Sequence, residues 1–330
     1  MQDWLASELR GEPFSLSPVS EDASFRRYFR VTLGSGSTYV AMDAPPDKED
    51  SQAFVRIAGM LRQAGIHAPD LHAADIPRGF LLLGDLGRET YLQVLQGAHV
   101  GEAQIEILYA DAIDALIKWQ LASVPGELPP YDDALLRREL SLFPEWYVAR
   151  HLGRSLDDSQ RASLERIDTL LTNSALAQPS VYVHRDYMPR NLMRCKPNPG
   201  VLDFQDAVFG PITYDLASLL RDAFISWEEP RVIDWCVRYW EKARRARLPV
   251  REDFSEFYRE FEWMGLQRHL KVLGIFARIR YRDGKPRYLD DAPRFLGYAR
   301  AVAGRYSALA PLLRLLDELH GTVPRTGYSF

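Results

Sequence analysis

Apolar and polar positions alternate between residues 24 and 33. Phe25, Phe29, Val31 and Leu33 fall on one side of an extended chain, Arg26, Tyr28 and Arg30 on the other. Gly34-Ser35-Gly36-Ser37 turns the chain, and Thr38 to Met42 returns as a second strand, so the two predict a hairpin that Pro45-Pro46 ends. The period then lengthens. Phe54, Ile57, Ala58 and Leu61 make one stripe of a helix over 50–64, with Gly65 placed to stop it. A third strand is predicted at 80–83, closed by Gly84-Asp85-Leu86-Gly87. Residues 2–10 read as a short amphipathic helix. Beyond residue 88 the pattern is mostly helical: 101–123, 134–152, 157–175, 212–225, 230–246, 252–281 and 290–317. Short apolar runs at 181–183, 192–194 and 200–203 interrupt it as strands. The organisation predicted is α+β and bilobal: a small β-rich lobe over 1–84, a hinge near 83–88, and a larger helical lobe over 85–330.

Composition narrows the class. The 330 residues suffice for a large core and two lobes. A formal net charge of −4 gives no global field for nucleic acid or an anionic membrane. No run of roughly 18 apolar residues exists to span a bilayer. The start, MQDWLASELRGEP, lacks a basic–apolar leader pattern, so a cytoplasmic protein is expected. Cys195 and Cys236 belong to no CxxC pair and are expected to be free thiols. No obligate protein partner is inferred.

The chemistry gathers at two strand ends. Val181-Tyr182-Val183 stops at His184-Arg185-Asp186, and Asn191 follows five residues after the acid. Twelve residues later, Asp203-Phe204 ends another apolar run. Phosphoryl transfer from a nucleotide asks for positioning, metal-borne charge neutralisation and a carboxylate to orient the attacking hydroxyl. Asp186 can be that carboxylate. Asn191 and Asp203 offer the few hard oxygens with which Mg²⁺ is bound beside phosphates.

These motifs resemble the eukaryotic-like kinase superfamily, and most of all its aminoglycoside phosphotransferase-like small-molecule branch. The second motif reads Asp203-Phe204-Gln205-Asp206 rather than Asp-Phe-Gly, and Gly210-Pro211-Ile212-Thr213-Tyr214-Asp215-Leu216-Ala217-Ser218 follows. Within the branch, SFRRYFR (24–30), VAMDAPP (40–46), LLLGDLG (81–87) and EWMGLQRHLK (262–271) resemble the bacterial anomeric kinases of N-acetylmuramic acid and N-acetylglucosamine in cell-wall recycling. The resemblance implies a bilobal protein-kinase-like fold and ATP with Mg²⁺ as cofactors. It implies phosphorylation of the sugar C1 hydroxyl, with ATP in a cleft under the hairpin and its adenine near 82–87. Asp186 is then the catalytic acid–base, and Asn191 and Asp203 the metal ligands. Ser24, Arg26, Arg30, Leu83 and Asp85 meet the nucleotide. Glu145, Trp146, Arg190, Trp263 and Gln267 are candidate sugar contacts. His184 braces the loop, and Asp215 caps a helix start and accepts N–H groups of the catalytic loop.

One position departs from the kinase pattern. The strand that usually reads Val-Ala-x-Lys reads Val40-Ala41-Met42-Asp43, and an anionic Asp43 cannot hold phosphates. Either Arg26, Arg27 or Arg30 supplies the charge, guanidinium being a good phosphate fork, or the chain is a pseudokinase. Backbone N–H groups around 22–24 could add a phosphate nest. Other readings remain open: a kinase of the same fold acting on an aminoglycoside, choline or homoserine hydroxyl, a catalytically dead nucleotide-binding scaffold, or a helical interaction protein. Residues 322–330 carry no acidic cluster for a polycationic substrate.

Overall fold

The computed structural model describes residues 1–20 and 25–320, which form two compact units. The first comprises Met1–Ser123 and His184–Ala207; the second comprises Val124–Val183 and Val208–Phe330. The first unit thus joins the segment that carries Asp186, Asn191 and Asp203 to the amino-terminal sheet, whereas the sequence suggested a division at residue 84. Main-chain bonds explain the grouping. Val201 N–H donates to the His67 carbonyl at 2.8 Å, and Arg194 N–H to the Glu89 carbonyl at 2.9 Å.

In the first unit, α1 (Gln2–Glu8) precedes β1 (Phe14–Ser20), β2 (Arg27–Leu33) and β3 (Thr38–Asp43). Helix α2 (Ser51–Gln63) and strands β4 (Leu71–Asp75) and β5 (Phe80–Gly84) follow. The five strands form one antiparallel sheet in the order β1-β2-β3-β5-β4. Its buried side gathers Trp4, Leu5, Val31, Leu33, Ala41 and Leu82. The expected hairpin is β2–β3, with Val31 facing Tyr39 and Phe29 facing Ala41. Three details differ from the sequence reading. The edge strands β1 and β4 (FSLSPVS, LHAAD) were not foreseen: each is short in large apolar residues, and Phe14, Leu16 and Ala73 pack only partly buried against the core. Phe25 lies outside the strand and is exposed, with the Lys48 ammonium 4.4 Å from its ring centre. The strand expected at 200–203 stops at Val201, since Asp203 has a left-handed φ of 61°. Gly79 is required by the β4–β5 connection. Its φ is 74°, and a Cβ there would lie 1.8 Å from the Ala44 carbonyl oxygen.

The unit continues with α3 (Tyr91–Leu95), which carries a Thr90/Gln93 capping box, and α4 (Glu102–Leu121). It is completed by the two-stranded ribbon that joins β7 (Leu192–Met193) to β8 (Gly200–Val201).

The second unit contains α5 (Asp133–Leu140), a π-helical segment over Phe143–His151, and α6 (Asp158–Leu176). Strands β6 (Ser180–Val183) and β9 (Val208–Pro211) pair antiparallel. Then come α7 (Tyr214–Leu220), α8 (Glu229–Arg245), α9 (Phe254–Asp283), α10 (Ala292–Arg305) and α11 (Ala310–His320). The helix expected over 134–152 is broken because Pro144 brings no N–H at the start of the wider turn. The helix expected over 290–317 is two, separated by the 3₁₀ turn Ser307–Leu309. Helix α9 runs through the core of this unit, burying Leu266, Leu270, Leu273 and Phe276 among residues of the π-helical segment, α6, α10 and α11. Gly274 lets it pass: a Cβ would sit 2.4 Å from the Leu142 carbonyl group. No described helix is long and apolar enough to cross a membrane, and Cys195 and Cys236 are both free.

Candidate active site

The two predicted strand ends are stitched to each other within the first unit. His184 sits 1% exposed, and its Nε2–H donates to the Leu202 carbonyl at 3.0 Å, one residue before Asp203. Its Nδ1 accepts the Asp186 N–H at 3.3 Å, which fixes the neutral tautomer. The Asp186 carbonyl accepts from Met188 N–H at 3.0 Å and from Asn191 Nδ2 at 2.8 Å. Leu202 N–H in turn donates to the Asn191 carbonyl at 2.9 Å. Tyr187 anchors the loop from behind: its hydroxyl donates to the Ala112 carbonyl of α4 at 2.8 Å. Arg185 (φ 76°) and Asp203 (φ 61°) both hold left-handed backbone, a conformation costing a non-glycine residue about 1 kcal/mol or more. That strain sits next to Asp186 and at Asp203 itself, and is held by the bonds just described.

The loop is therefore fixed through the Asp186 main chain, which leaves its half-buried carboxylate for chemistry. Asn191 Nδ2 also lies 3.4 Å from Asp203 Oδ2, so Asn191 has Oδ1 left as a donor atom. Gln205 Nε2 donates to Asp203 Oδ1 at 2.9 Å and orients that carboxylate. Among the described residues no cluster of three His, Cys, Asp or Glu side chains could enclose a metal ion. One carboxylate and one amide oxygen is nonetheless the sparse, hard donor set with which Mg²⁺ is shared between protein, phosphate and water, so the residues fit that ion.

Burial pushes the His184 imidazole down to about 4, against the pull of Asp186. Its folded value lies below the ordinary one, so the unfolded chain takes up a proton first as pH falls. The stability this neutral histidine contributes is complete above about pH 6.5 and is lost as pH drops toward 4, on the order of 3 kcal/mol in all. His184→Gln should flatten that part of the pH dependence. Urea unfolding of both proteins at pH 7 and 4.5 measures it, and an equal loss of stability in the two would show that the fold does not lower the His184 pKa.

The three arginines offered for the missing lysine have different partners. Arg27 pairs with Asp43, its cross-strand neighbour, and so neutralises the acid at the lysine position. Arg30 donates Nε and Nη2 to Asp85 at 2.6 and 3.0 Å, and Nη2 also to the Gly87 carbonyl at 2.6 Å. Burial alone would raise the Asp85 carboxyl, but the Arg30 fork and the Gly87 N–H hold it below its ordinary value. Arg30 and Asp85 thus brace the turn after β5, and Leu83 is buried in that strand. Arg26 alone of the three is paired both with an acid of the site and with a second carboxylate: Nη1 is 3.8 Å from Asp203 Oδ1, and Nη2 is 2.7 Å from Glu49 Oε2. Burial would lower its pKa; Tyr28, Glu49, Asp203 and Asp206 together outweigh that and raise it, so it is cationic throughout. Ser24 and the proposed nest at 22–24 lie outside the described residues.

The other candidates lie mostly in the second unit. Gln267 is fully buried and donates Nε2 to Glu139 Oε2 at 3.3 Å. Glu139 also pairs with Lys271 Nζ at 2.9 Å and accepts from the Tyr131 hydroxyl. Trp263, one turn earlier, is half-buried with its ring edge-on to Tyr306 at 5.7 Å, and its Nε1 has no hydrogen-bond partner among the described residues. Glu145 is exposed and Trp146 half-buried on the π-helical segment, while Arg190, in the first unit, is half-buried in the 3₁₀ turn before β7. Asp215 is fully buried in the first turn of α7, but Thr213 is the N-cap there, because the helix begins at Tyr214. The role of cap expected for Asp215 is therefore corrected. Sequence reasoning missed Glu49, Gln205, Tyr187 and the Glu139–Lys271 pair. Gln205 was visible as the residue that follows Asp203-Phe204; Glu49 was marked only by standing just before a helix start.

The sequence profile of the phosphotransferase enzyme family matches residues 15–252. The chain is 56% identical over 305 residues to an N-acetylmuramate/N-acetylglucosamine kinase of Pseudomonas putida, covering 92% of this chain and 88% of that protein. It is 51% identical over 332 residues to the Neisseria meningitidis protein of the same name, covering 100% of this chain and 98% of that one. Among solved structures, an ADP-bound aminoglycoside phosphotransferase superimposes with a TM-score of 0.60 at 14% identity, covering 90% of this chain and 96% of its own. A Plasmodium vivax ethanolamine kinase does so with a TM-score of 0.63 at 11% identity, covering 94% and 85%. At such identities those two structures share the fold, which is the bilobal kinase-like fold expected. The chain belongs to the phosphotransferase enzyme family.

Proposed function

We propose that the protein is an ATP-dependent kinase that phosphorylates the C1 hydroxyl of N-acetylmuramic acid and N-acetylglucosamine. The observation that carries the reaction type is the stitching of Asp186, Asn191 and Asp203 into one main-chain-braced corner. The sugar follows from the names of relatives that are more than half identical over nearly their whole length.

In this reading Asp186 accepts a hydrogen bond from the sugar O1–H and aligns its oxygen with the γ-phosphorus. The O1–P bond forms as the bond between the γ-phosphorus and the β–γ bridging oxygen breaks, ADP leaves, and the hydroxyl proton passes to the Asp186 carboxylate. A weak base suffices, because an anomeric hydroxyl is more acidic than an ordinary alcohol. Asn191 Oδ1 and Asp203 would hold Mg²⁺, which when bound neutralises charge on the phosphates. Arg26 adds fixed positive charge beside Asp203. The turn after β5, braced by Arg30 and Asp85, presents main-chain groups to adenine. The first 84 residues supply the nucleotide contacts, and the remainder supplies the catalytic loop and the sugar contacts.

The test is the position of the phosphate. Incubation with ATP, Mg²⁺ and either sugar should give a product whose phosphorus couples to the anomeric proton, with the reducing end lost. Phosphorus NMR of the product distinguishes the outcomes. Phosphate on any other hydroxyl, or transfer to choline or an aminoglycoside but to neither sugar, would overturn the assignment.

A further inference from the structure

Glu49 sits where two separate anchors leave it little freedom. Its own N–H and that of Lys48 donate to the Pro45 carbonyl at 3.0 and 2.9 Å, closing a turn. The next residue, Asp50, caps α2 through Gln52 N–H at 2.8 Å and Ala53 N–H at 3.1 Å. From this fixed base both carboxylate oxygens of Glu49 reach consecutive residues of the segment before β2. Oε1 accepts the Phe25 N–H at 3.1 Å, and Oε2 pairs with Arg26 Nη2 at 2.7 Å. The Arg26 and Glu49 side chains are 10% and 11% exposed, so the pair is shielded from water. The contact of Arg26 Nη1 with Asp203 Oδ1, at 3.8 Å, is too long for a hydrogen bond. The guanidinium is thus held near Asp203 without closing on it.

We propose that Glu49 is a positioning residue for the nucleotide site: it holds the Arg26 guanidinium beside Asp203, so that Arg26 serves as the phosphate-facing cation that strand position 43 lacks. The inference rests on the kinase reading of the site. A circuit of contacts gives it a structural consequence. Glu49 immediately precedes α2, and α2 places the Phe54 ring 4.7 Å from that of Phe204, the residue after Asp203. The helix that follows Glu49 and the turn that carries Asp203 are therefore in direct contact. With Glu49 removed, Asp203 is a carboxylate already 3.8 Å from Arg26 Nη1 and open to its approach. Arg26 would close on it and compete with the magnesium ion. Loss of Glu49 should weaken nucleotide binding and raise the magnesium requirement together.

The experiment uses the full chain with Glu49→Gln, Arg26→Ala, Arg26→Lys and the double variant Glu49→Gln/Arg26→Ala. ATP binding is measured by calorimetry across a Mg²⁺ series, and kcat and KM with the sugar. Glu49→Gln keeps an acceptor for Phe25 N–H but loses the ion pair. It should weaken ATP binding about tenfold and shift half-maximal Mg²⁺ upward, with a smaller change in kcat. The double variant should be no weaker than Arg26→Ala alone, since both changes remove one interaction. Arg26→Lys, which keeps the charge but cannot span two partners, should fall between wild type and Arg26→Ala, and this arm stands even where Glu49→Gln fails to fold. Unchanged ATP affinity in Glu49→Gln, additive losses in the double variant, or a wild-type Arg26→Lys would each overturn the positioning role. A wild-type protein that binds ATP–Mg²⁺ yet phosphorylates neither sugar would remove the proposed activity and leave the positioning role standing. A wild-type protein that binds no nucleotide would remove both.

Discussion

Asp186→Asn should lower turnover about a thousandfold and leave ATP binding unchanged. The reason is the separation of duties at this residue. The Asp186 N–H and carbonyl carry the loop's hydrogen bonds to His184, Met188 and Asn191, and an amide of the same shape keeps all of them. What the amide cannot do is take the proton of the attacking hydroxyl as the new bond forms. Arg26, Asn191 and Asp203, the groups proposed to face the nucleotide and its magnesium ion, are untouched by the change. Steady-state kinetics give the turnover and calorimetry with ATP–Mg²⁺ the binding. Near-normal turnover would mean that another group accepts the proton, and a parallel loss of ATP affinity would mean that Asp186 belongs to the nucleotide site. Asp203→Ala provides the contrast, since it should weaken both.

Much of this site could be read from the sequence because its parts are local. His184, Asp186 and Asn191 occupy one short loop, and Asp203 follows at a fixed distance beyond a strand. The hairpin β2–β3 was legible for the same reason: its alternation and its Gly-Ser turn lie within twenty residues. What could not be read is what depends on a partner distant in the chain. Arg30 was one of three arginines offered for the missing charge, and nothing local foretells that its fork closes on Asp85, fifty-five residues away. Arg26 and Glu49 are separated by a strand pair and a turn, and no periodicity links them. The strand β1 was missed although Phe14 and Leu16 alternate with Ser15 and Ser17, because only two large apolar residues mark it, and β4 because Ala73 and Ala74 follow each other and blur the period. The break of the helix predicted over 134–152 follows from Pro144, which the sequence displays, combined with the close passage of α9 at Gly274, which it does not. Local chemistry is thus written in the chain, whereas the pairing of charges is decided by the fold.

The same principle governs the largest stability effect expected. In the second unit, Lys271 of α9 and Glu139 of α5 form an ion pair at 2.9 Å with side chains 10% and 6% exposed. Lys271 Nζ also donates to the Tyr214 hydroxyl at 2.9 Å. Lys271→Met fits an aliphatic stem but removes the counter-charge of Glu139 in a poorly solvated interior, where the Tyr131 hydroxyl and the Gln267 amide also bond the carboxylate. Leaving such a charge unpaired costs about 3–5 kcal/mol, more than the lost packing of a terminal ammonium could explain. The double variant Glu139→Gln/Lys271→Met removes the charge as well as its partner, keeps an amide to bond Tyr131 and Gln267, and should recover most of the loss. Urea unfolding at pH 7, followed by tryptophan fluorescence, gives both values. If the single variant is as stable as wild type, or the double variant is less stable than the single one, the pair is not what holds Glu139 in place. If both expectations hold, the ion pair fixes how α5 and α9 meet while adding little net stability of its own, and Gln267, bonded to the same carboxylate, is held in its rotamer by that arrangement.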